Sequence, residues 1–430
     1  MYLVYSILLV IAFVVLLPRF VYDAMTKGKY AASFRVRLGF LPEFNSNKKK
    51  VIWLHCVSVG ETQAARPLVN ALLTQFPDYA LVISTTTITG QKIARELFAK
   101  DSALIFYFPF DFAFAVRRVL NRVNPSLVLV METELWPRFL YECAEKKIPL
   151  AIVNGRLSEK SVRGYKLFKP FIKRVVNNLS LALMQTESDA KRMRKIGLSP
   201  EKISVTGNIK YDVEANESEK DLTEIFRIRF GFNDERLLII AASMHAPEES
   251  FILEAFKTLS GKPRLLIAPR HPERFSEVAN LIAASNFKWT RRTNPEKESD
   301  KTVDIILLDS IGELRAVYSL AQIVFVGGSL IKKGGHNVLE PTAVGICVIT
   351  GANTFNFKAI VQDFLKADAL VQMPQMNETE TSNELAKTFQ NLLSNGERRN
   401  ELAKNAAEVF ERNRGATEKT IGEIERLIQN

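Results

Sequence analysis

Trp53-Leu54-His55-Cys56-Val57-Ser58-Val59-Gly60-Glu61-Thr62 decides how the rest of this 430-residue chain is read. From Val51 to Val57 the chain is a nearly continuous apolar, β-branched run, the pattern of a strand buried on both faces. Ser58 and Gly60 break that run, and helical spacing resumes from Thr62 to Leu73 through Ala65, Leu68, Val69 and Leu72. Strand, tight turn and helix place Glu61 in a helix's first turn at the carboxyl edge of a parallel sheet, where ligands gather in open α/β folds. Glu61 there either complements the helix dipole, worth roughly 0.3–1 kcal/mol, or acts as a general base on a rigid element.

Outward from this segment, apolar runs alternate with helical spacing. Ala80–Ser84, Ala103–Tyr107, Leu127–Met131, Leu150–Val153 and Leu181–Gln185 read as strands, which predicts a doubly wound parallel sheet. The polar, acidic stretch Val213 to Thr223 reads as an interdomain linker. Alternation restarts with Leu237–Ala241, Arg264–Ala268, Asp304–Leu308, Ile323–Val326 and Cys347–Ile349. Thr290 to Thr302 reads as a charged loop, and Asn383 to Asn430 as helix throughout. The predicted organisation is a segment 1–28, a first α/β domain 29–212, the linker 213–223, a second α/β domain 224–410 and a terminal helix 411–430.

The composition is globular, with 47% hydrophobic and 24% charged residues. A net charge of +11 points to a polyanionic partner: nucleic acid, an anionic membrane or a phosphorylated substrate. Cys56, Cys143 and Cys347 show no metal spacing and fit a reducing compartment. Tyr2 to Leu17 is uncharged and almost wholly apolar, ended by Pro18 and Arg19. It is slightly shorter than the roughly 20 residues of a full span and lacks a signal peptide's basic start and cleavage site. Basic residues follow it, so the body lies on the cytoplasmic side by the positive-inside rule. The segment reads as a membrane anchor, single-pass or deeply inserted, against the alternative of a buried N-terminal helix.

His55, His245, His271 and His336 each fall at a predicted strand end or in the turn after it. No Cys/His spacing suits zinc. There is no phosphate-binding G-x-x-x-x-G-K-[ST] loop, no G-x-G-x-x-G, and no Asp-x-Asp to hold a metal on a nucleotide diphosphate. Glu132-Thr133-Glu134-Leu135-Trp136-Pro137 follows the strand Leu127–Met131. Thr133 or Glu134 is placed to cap the next helix, while Glu132 has no capping duty. Lys210, in Thr206-Gly207-Asn208-Ile209-Lys210, is either a solvated surface lysine or a group placed where a domain cleft would be. Arg270, between Pro269 and His271-Pro272, can fork onto a phosphate. Ile311-Gly312-Glu313 opens a helix whose N–H groups suit an anion or a base edge. Gly334-Gly335-His336-Asn337-Val338-Leu339-Glu340-Pro341 lets backbone approach a ligand, and Glu340 can accept two ribose hydroxyls. Arg156 to Arg174 interleaves cations with Tyr165, Phe168 and Phe171, as either a solvated face or a rim against lipid phosphates.

These motifs, in this order, resemble the Kdo (3-deoxy-D-manno-octulosonic acid) transferases of lipopolysaccharide synthesis. The resemblance rests on Trp53-x-His55-x-x-Ser58-x-Gly60-Glu61, Glu132-x-Glu134-Leu135-Trp136-Pro137, Asn154-Gly155-Arg156-Leu157-Ser158, Gly207-Asn208-x-Lys210, Pro269-Arg270-His271-Pro272 and Gly335-His336-Asn337-x-Leu339-Glu340-Pro341. It implies a GT-B fold, two Rossmann-like domains facing a cleft, with the final helix crossing back. It also implies inverting transfer of Kdo from CMP-Kdo to lipid IVA, a lipid A precursor, at the cytoplasmic face of the inner membrane. Glu61 is then the base, with Glu132 and Lys210 stabilising the transition state. Pro269, Arg270, Ile311 to Glu313 and Asn337 to Glu340 bind CMP, with no metal, cofactor or nucleic acid. A GT-B-like sugar-nucleotide epimerase, or a membrane-anchored polyanion-binding protein, is the rival reading.

Overall fold

Strands apolar on both faces need helices on both sides, and in this computed structural model each half of the chain meets that need with its own parallel sheet. The structure describes residues 1–27, 31–47, 49–212, 217–232 and 236–429. The chain forms two units, 1–212 with 414–430, and 213–413.

In the first unit, β1 (Lys50–Cys56), β2 (Tyr79–Thr85), β3 (Leu104–Tyr107), β4 (Leu127–Met131), β5 (Leu150–Gly155), β6 (Leu181–Met184) and β7 (Ile203–Val205) stand in the order β3-β2-β1-β4-β5-β6-β7. Every pairing is parallel. On one face Trp53 is sealed against Phe106, Phe108 and Phe139, and its indole N–H donates to Ser84 Oγ at 2.8 Å. On the other, Ile52, Leu54 and Cys56 share a core with Leu68, Val69 and Leu72, and with Ile421 and Ile424 of the helix Ala416–Gln429. The last helix is therefore part of the first unit's core.

In the second unit, β8 (Leu238–Met244), β9 (Arg264–Pro269), β10 (Trp289–Arg291), β11 (Ile305–Leu307), β12 (Ile323–Val326), β13 (Cys347–Thr350) and β14 (Val371–Gln372) are also all parallel, in the order β10-β11-β9-β8-β12-β13-β14. Strand order reverses direction between β1 and β4 in the first sheet and between β8 and β12 in the second. Ligands of open α/β sheets sit outside the carboxyl ends at such points.

Several boundaries differ from the sequence reading. The expected linker is helical from Glu217, in Glu217–Phe230; Val213 to Asn216 lie outside the described residues. Buried Phe226 and Phe230, four residues apart, anchor that helix. The charged loop at 290–302 contains the edge strand β10 and a 3-10 turn, Glu298–Thr302. The helical C-terminal stretch begins earlier than Asn383 and consists of three helices, Glu378–Ser394, Gly396–Asn413 and Ala416–Gln429, the terminal one starting after a break at Gly415 with φ +81° instead of at 411.

The N-terminal segment is one helix, Tyr2–Lys27. Among the described residues no helix is long and apolar enough to cross a membrane, so the single-pass form of the anchor is not supported. One side of the helix is committed to the protein body instead. Tyr2 packs on Tyr141 and Phe171, Tyr5 OH donates to Asp111 Oδ2 at 2.8 Å, and Phe13 meets Phe34, Phe110 and Phe112. Leu3, Val4, Ile7, Leu8, Ile11, Val14 and Val15 remain exposed.

Candidate functional site

The turn after β1 is built by Ser58 and Glu61 together. Ser58 Oγ caps the helix Val59–Ala64 by accepting the Glu61 N–H. Glu61 Oε2 accepts the Val57 N–H at 2.7 Å and Oε1 the Ser58 hydroxyl at 3.0 Å. Glu61 is only 7% exposed. Burial raises its carboxyl to about 7, a rise that the Val57 N–H opposes and the charge of Glu132 reinforces. Glu61 occupies the first helical turn and is also poised to exchange a proton near neutrality.

Glu132 stands immediately after β4, the neighbour of β1, with φ +53°. Its N–H donates to Val153 O on β5 at 2.9 Å. Lys210 Nζ donates to Glu132 Oε1 at 3.1 Å, and Arg156 Nε lies 3.5 Å from Oε2. The Lys210 side chain is 16% exposed, so it is not a solvated surface lysine. Asn154, buried at φ +54°, accepts the Ile209 N–H at 3.1 Å, and Asn208 accepts that of Lys210. The Asn154-Gly155-Arg156 and Gly207-Asn208-x-Lys210 motifs thereby form one support. The structure thus brings Glu132, Lys210 and Arg156 into contact and holds Glu61 within the electrostatic reach of Glu132. Glu134 is raised by burial and then by Glu132.

One expectation in this unit is corrected. Neither Thr133 nor Glu134 caps the helix Pro137–Glu145; Asp111 does, accepting N–H groups from Arg138 at 2.9 Å and Phe139 at 2.7 Å. It comes from another loop, so local sequence carried no signal of it. His55 is a core histidine: fully buried, bonded to Ser84 Oγ at 2.9 Å and stacked on Phe108. Burial lowers it to about 3.

In the second unit, wholly buried Glu248 accepts backbone N–H groups from His245 at 3.1 Å, Gly328 at 2.7 Å, Ser329 at 3.0 Å and Leu330 at 2.9 Å. This carboxylate, unnoticed in the sequence, fixes the glycine turn after β12 against the end of β8. A side chain at Gly327 would meet Ser243 O at 2.7 Å. Arg270 follows β9, its N–H donating to Met244 O at 2.9 Å, and its exposed guanidinium has no carboxylate partner among the described residues. Arg270, Arg315 and Glu340 surround the buried Tyr318 phenol, which is raised first by burial and then by Glu340.

Glu313 is gripped by Arg292 Nε at 3.0 Å and Nη2 at 2.9 Å, and accepts the Ser310 hydroxyl. The helix expected at Ile311 starts at Leu314. That leaves Ile311 79% exposed and Gly312, φ +88°, in open space. Asn337 accepts the Leu339 N–H at 3.0 Å and donates to Glu340 Oε1 at 3.2 Å, at the start of Leu339–Ala343. Val338 and Leu339 are buried beneath them. Pro269 ends β9, and Arg270, Ile311 to Glu313 and Asn337 to Glu340 lie past strand ends at the carboxyl edge of the second sheet. Among the described residues, no three His, Cys, Asp or Glu side chains are grouped to hold a metal ion.

Known proteins share this architecture. UDP-GlcNAc 2-epimerase from Neisseria meningitidis matches with a TM-score of 0.56 at 14% identity, over 89% of this chain and 100% of its own. A glycosyltransferase from Rickettsia africae matches with a TM-score of 0.55 at 13% identity, over 89% and 99%. Both define the class as a GT-B-like α/β fold. The family model described as 3-deoxy-D-manno-octulosonic-acid transferase (kdotransferase) matches residues 32–213. The 3-deoxy-D-manno-octulosonic acid transferase of Haemophilus influenzae is 37% identical over 396 residues, 91% of each chain. That of Bordetella pertussis is 31% identical over 383 residues, 87% of this chain and 86% of its own. The chain belongs to the Kdo transferase family, and is a glycosyltransferase of lipopolysaccharide synthesis.

Proposed function

We propose that this transferase moves Kdo from CMP-Kdo to a hydroxyl of a lipid A precursor, lipid IVA, with inversion at the anomeric carbon. The carrying observation is Glu61: a buried carboxyl raised to about 7, on a rigid strand–helix turn, in reach of the Glu132–Lys210 pair. Glu61 takes the acceptor's hydroxyl proton as that oxygen bonds the anomeric carbon. The bond from that carbon to the CMP phosphate oxygen breaks, and CMP leaves with the electron pair. Lys210, held by Glu132, offsets the developing negative charge. Arg270 takes the phosphate and Glu340 the ribose hydroxyls. Ile311 to Glu313 and Asn337 to Leu339 line the rest of CMP. No metal or cofactor is required in this scheme, since side-chain cations meet the donor's charge.

The acceptor places the enzyme at the cytoplasmic face of the inner membrane. What supports this is the exposed apolar side of the first helix, from Leu3 to Leu17, together with Leu167 and Phe168, 79% and 66% exposed. The two are neighbours, because Phe171 packs on Tyr2 and Tyr5. Lys160, Arg163, Lys166, Lys169 and Lys173, all exposed, flank Leu167 and Phe168 in the sequence. An apolar surface rimmed by cations is how a helix lies in an anionic interface. The test is incubation with CMP-Kdo and a tetraacylated acceptor, with and without EDTA, followed by mass spectrometry. The acceptor should gain whole Kdo units under both conditions. Donor converted without acceptor gain would sink the reading in favour of an isomerase or hydrolase.

A further inference from the structure

Three of the four histidines meet at the carboxyl edge of the second sheet. His245 Nε2 and His336 Nε2 are 2.8 Å apart, in rings inclined by only 6°. The His271 ring lies 5.0 Å from that of His245, edge to face. His245 follows β8 and His336 lies in the loop after β12, so the pair occupies the switch point itself. Gly328 makes the room: a side chain there would meet His336 Cδ2 at 2.9 Å.

A hydrogen bond between two Nε2 atoms requires opposite tautomers. One ring carries its proton on Nε2 and leaves Nδ1 a bare acceptor; the other carries it on Nδ1, a free donor. Neither Nδ1 has a hydrogen-bond partner among the described residues, and neither is sealed from solvent. Burial, with Arg270, lowers His336 to about 3; burial, with His271, Lys333, Arg270 and Arg274, lowers His245 to about 4. The pair is thus neutral at rest inside a cationic surround. Glu249 and Glu277 are taken by Arg274, Glu273 lies by exposed His271, and Glu248 is spent on backbone N–H groups. An anion supplies what the cluster lacks.

We infer that His245 and His336, with Lys333, form a subsite for the carboxylate of the CMP-linked ulosonic acid, beside the phosphate taken by Arg270. This rests on the donor assignment above. The donor is a keto acid linked through its anomeric carbon, so carboxylate and phosphate are substituents of one carbon. A single phosphodiester charge does not account for Arg270, Lys333 and three imidazoles together. The carboxylate accepts from the Nδ1–H of one ring, and the bare Nδ1 of the other gains a proton to join it. Donor binding therefore takes up a proton.

The test compares KM for CMP-Kdo with Ki for CMP, which keeps the phosphate and lacks the carboxylate, in wild type, His245→Asn, His336→Asn and Lys333→Ala. The histidine variants should raise KM by about tenfold or more, the scale of a hydrogen bond to a charged group, and leave Ki within about threefold. Lys333, exposed, keeps the test valid if a histidine variant fails to fold, and Lys333→Ala should move KM and spare Ki in the same way. Wild-type KM should fall as pH drops from about 8 to about 6, because binding gains a proton. The phosphodiester and carboxylate do not titrate there; Glu61, raised to about 7, does, but it is unchanged in the histidine variants, so the slope those variants lose is the cluster's own. A parallel rise in Ki would assign the cluster to the phosphate, and unchanged KM or a flat wild-type profile would equally overturn the subsite. Failure of wild type to bind CMP, or of Arg270→Ala to weaken it, would instead sink the donor assignment itself.

Discussion

A carboxyl group taken from water and set near two others holds its proton longer, and Glu61 is in that position. Desolvation is the larger cause and Glu132 adds to it, against the Val57 N–H that favours the anion. The base form dominates above about 7, so kcat should rise with pH through that value and level off. Glu61→Gln should lower kcat by at least ~10²-fold, the usual scale of general base catalysis, and leave CMP affinity within about threefold. On the donor side, Arg270→Ala and Glu340→Ala should each weaken CMP by roughly 10- to 150-fold, whereas Glu132→Gln should not. Calorimetric titration of CMP into the three variants checks this. Loss of CMP binding in Glu132→Gln with retention in Arg270→Ala would reverse the assignment.

At the scale of elements, long buried strands were legible because apolar, β-branched runs bounded by Gly, Pro or Ser have few other readings. β1, β4 and β12 follow directly from Val51–Val57, Leu127–Met131 and Ile323–Val326. The strands that escaped notice, β7, β10 and β14, are two or three residues long at or near a sheet edge, too short for a pattern. Motif residues at strand ends were legible too, because a parallel sheet delivers them to one edge. Their supports were not: Asp111 caps a helix 26 residues away and Glu248 reaches a turn 80 residues on, and only the fold reveals such pairings. Glu248→Ala leaves four N–H donors without their acceptor. It should lower the melting temperature and weaken CMP binding together, as differential scanning and titration would show; CMP binding at wild-type strength would mean the glycine turn holds itself.

At the scale of the molecule, the last helix belongs to the first unit although the second unit intervenes. Gly415 and Thr417 N–H groups bond the Asp212 carboxylate, and Ile421 and Ile424 fill the core under β1. Removing residues 414–430 should therefore unfold the first unit, read as loss of cooperative melting; an unchanged melt would show the helix to be an accessory. Deleting residues 1–22 should release the protein from membranes. It should also lower the melting temperature, since Tyr5–Asp111 and the Phe13 ring contacts go with it, while transfer to detergent-dispersed acceptor persists. Retention on membranes after the deletion would move the attachment to Leu167, Phe168 and their flanking cations.

The claim that Glu61 is the base is tested most directly by single-turnover transfer of Kdo from CMP-Kdo to a tetraacylated acceptor across pH, in wild type and Glu61→Gln. Wild type should show a rate that climbs with pH through about 7, and the variant a rate at least ~10²-fold lower without that climb. A variant that transfers at near the wild-type rate, or keeps the same pH dependence, contradicts the account.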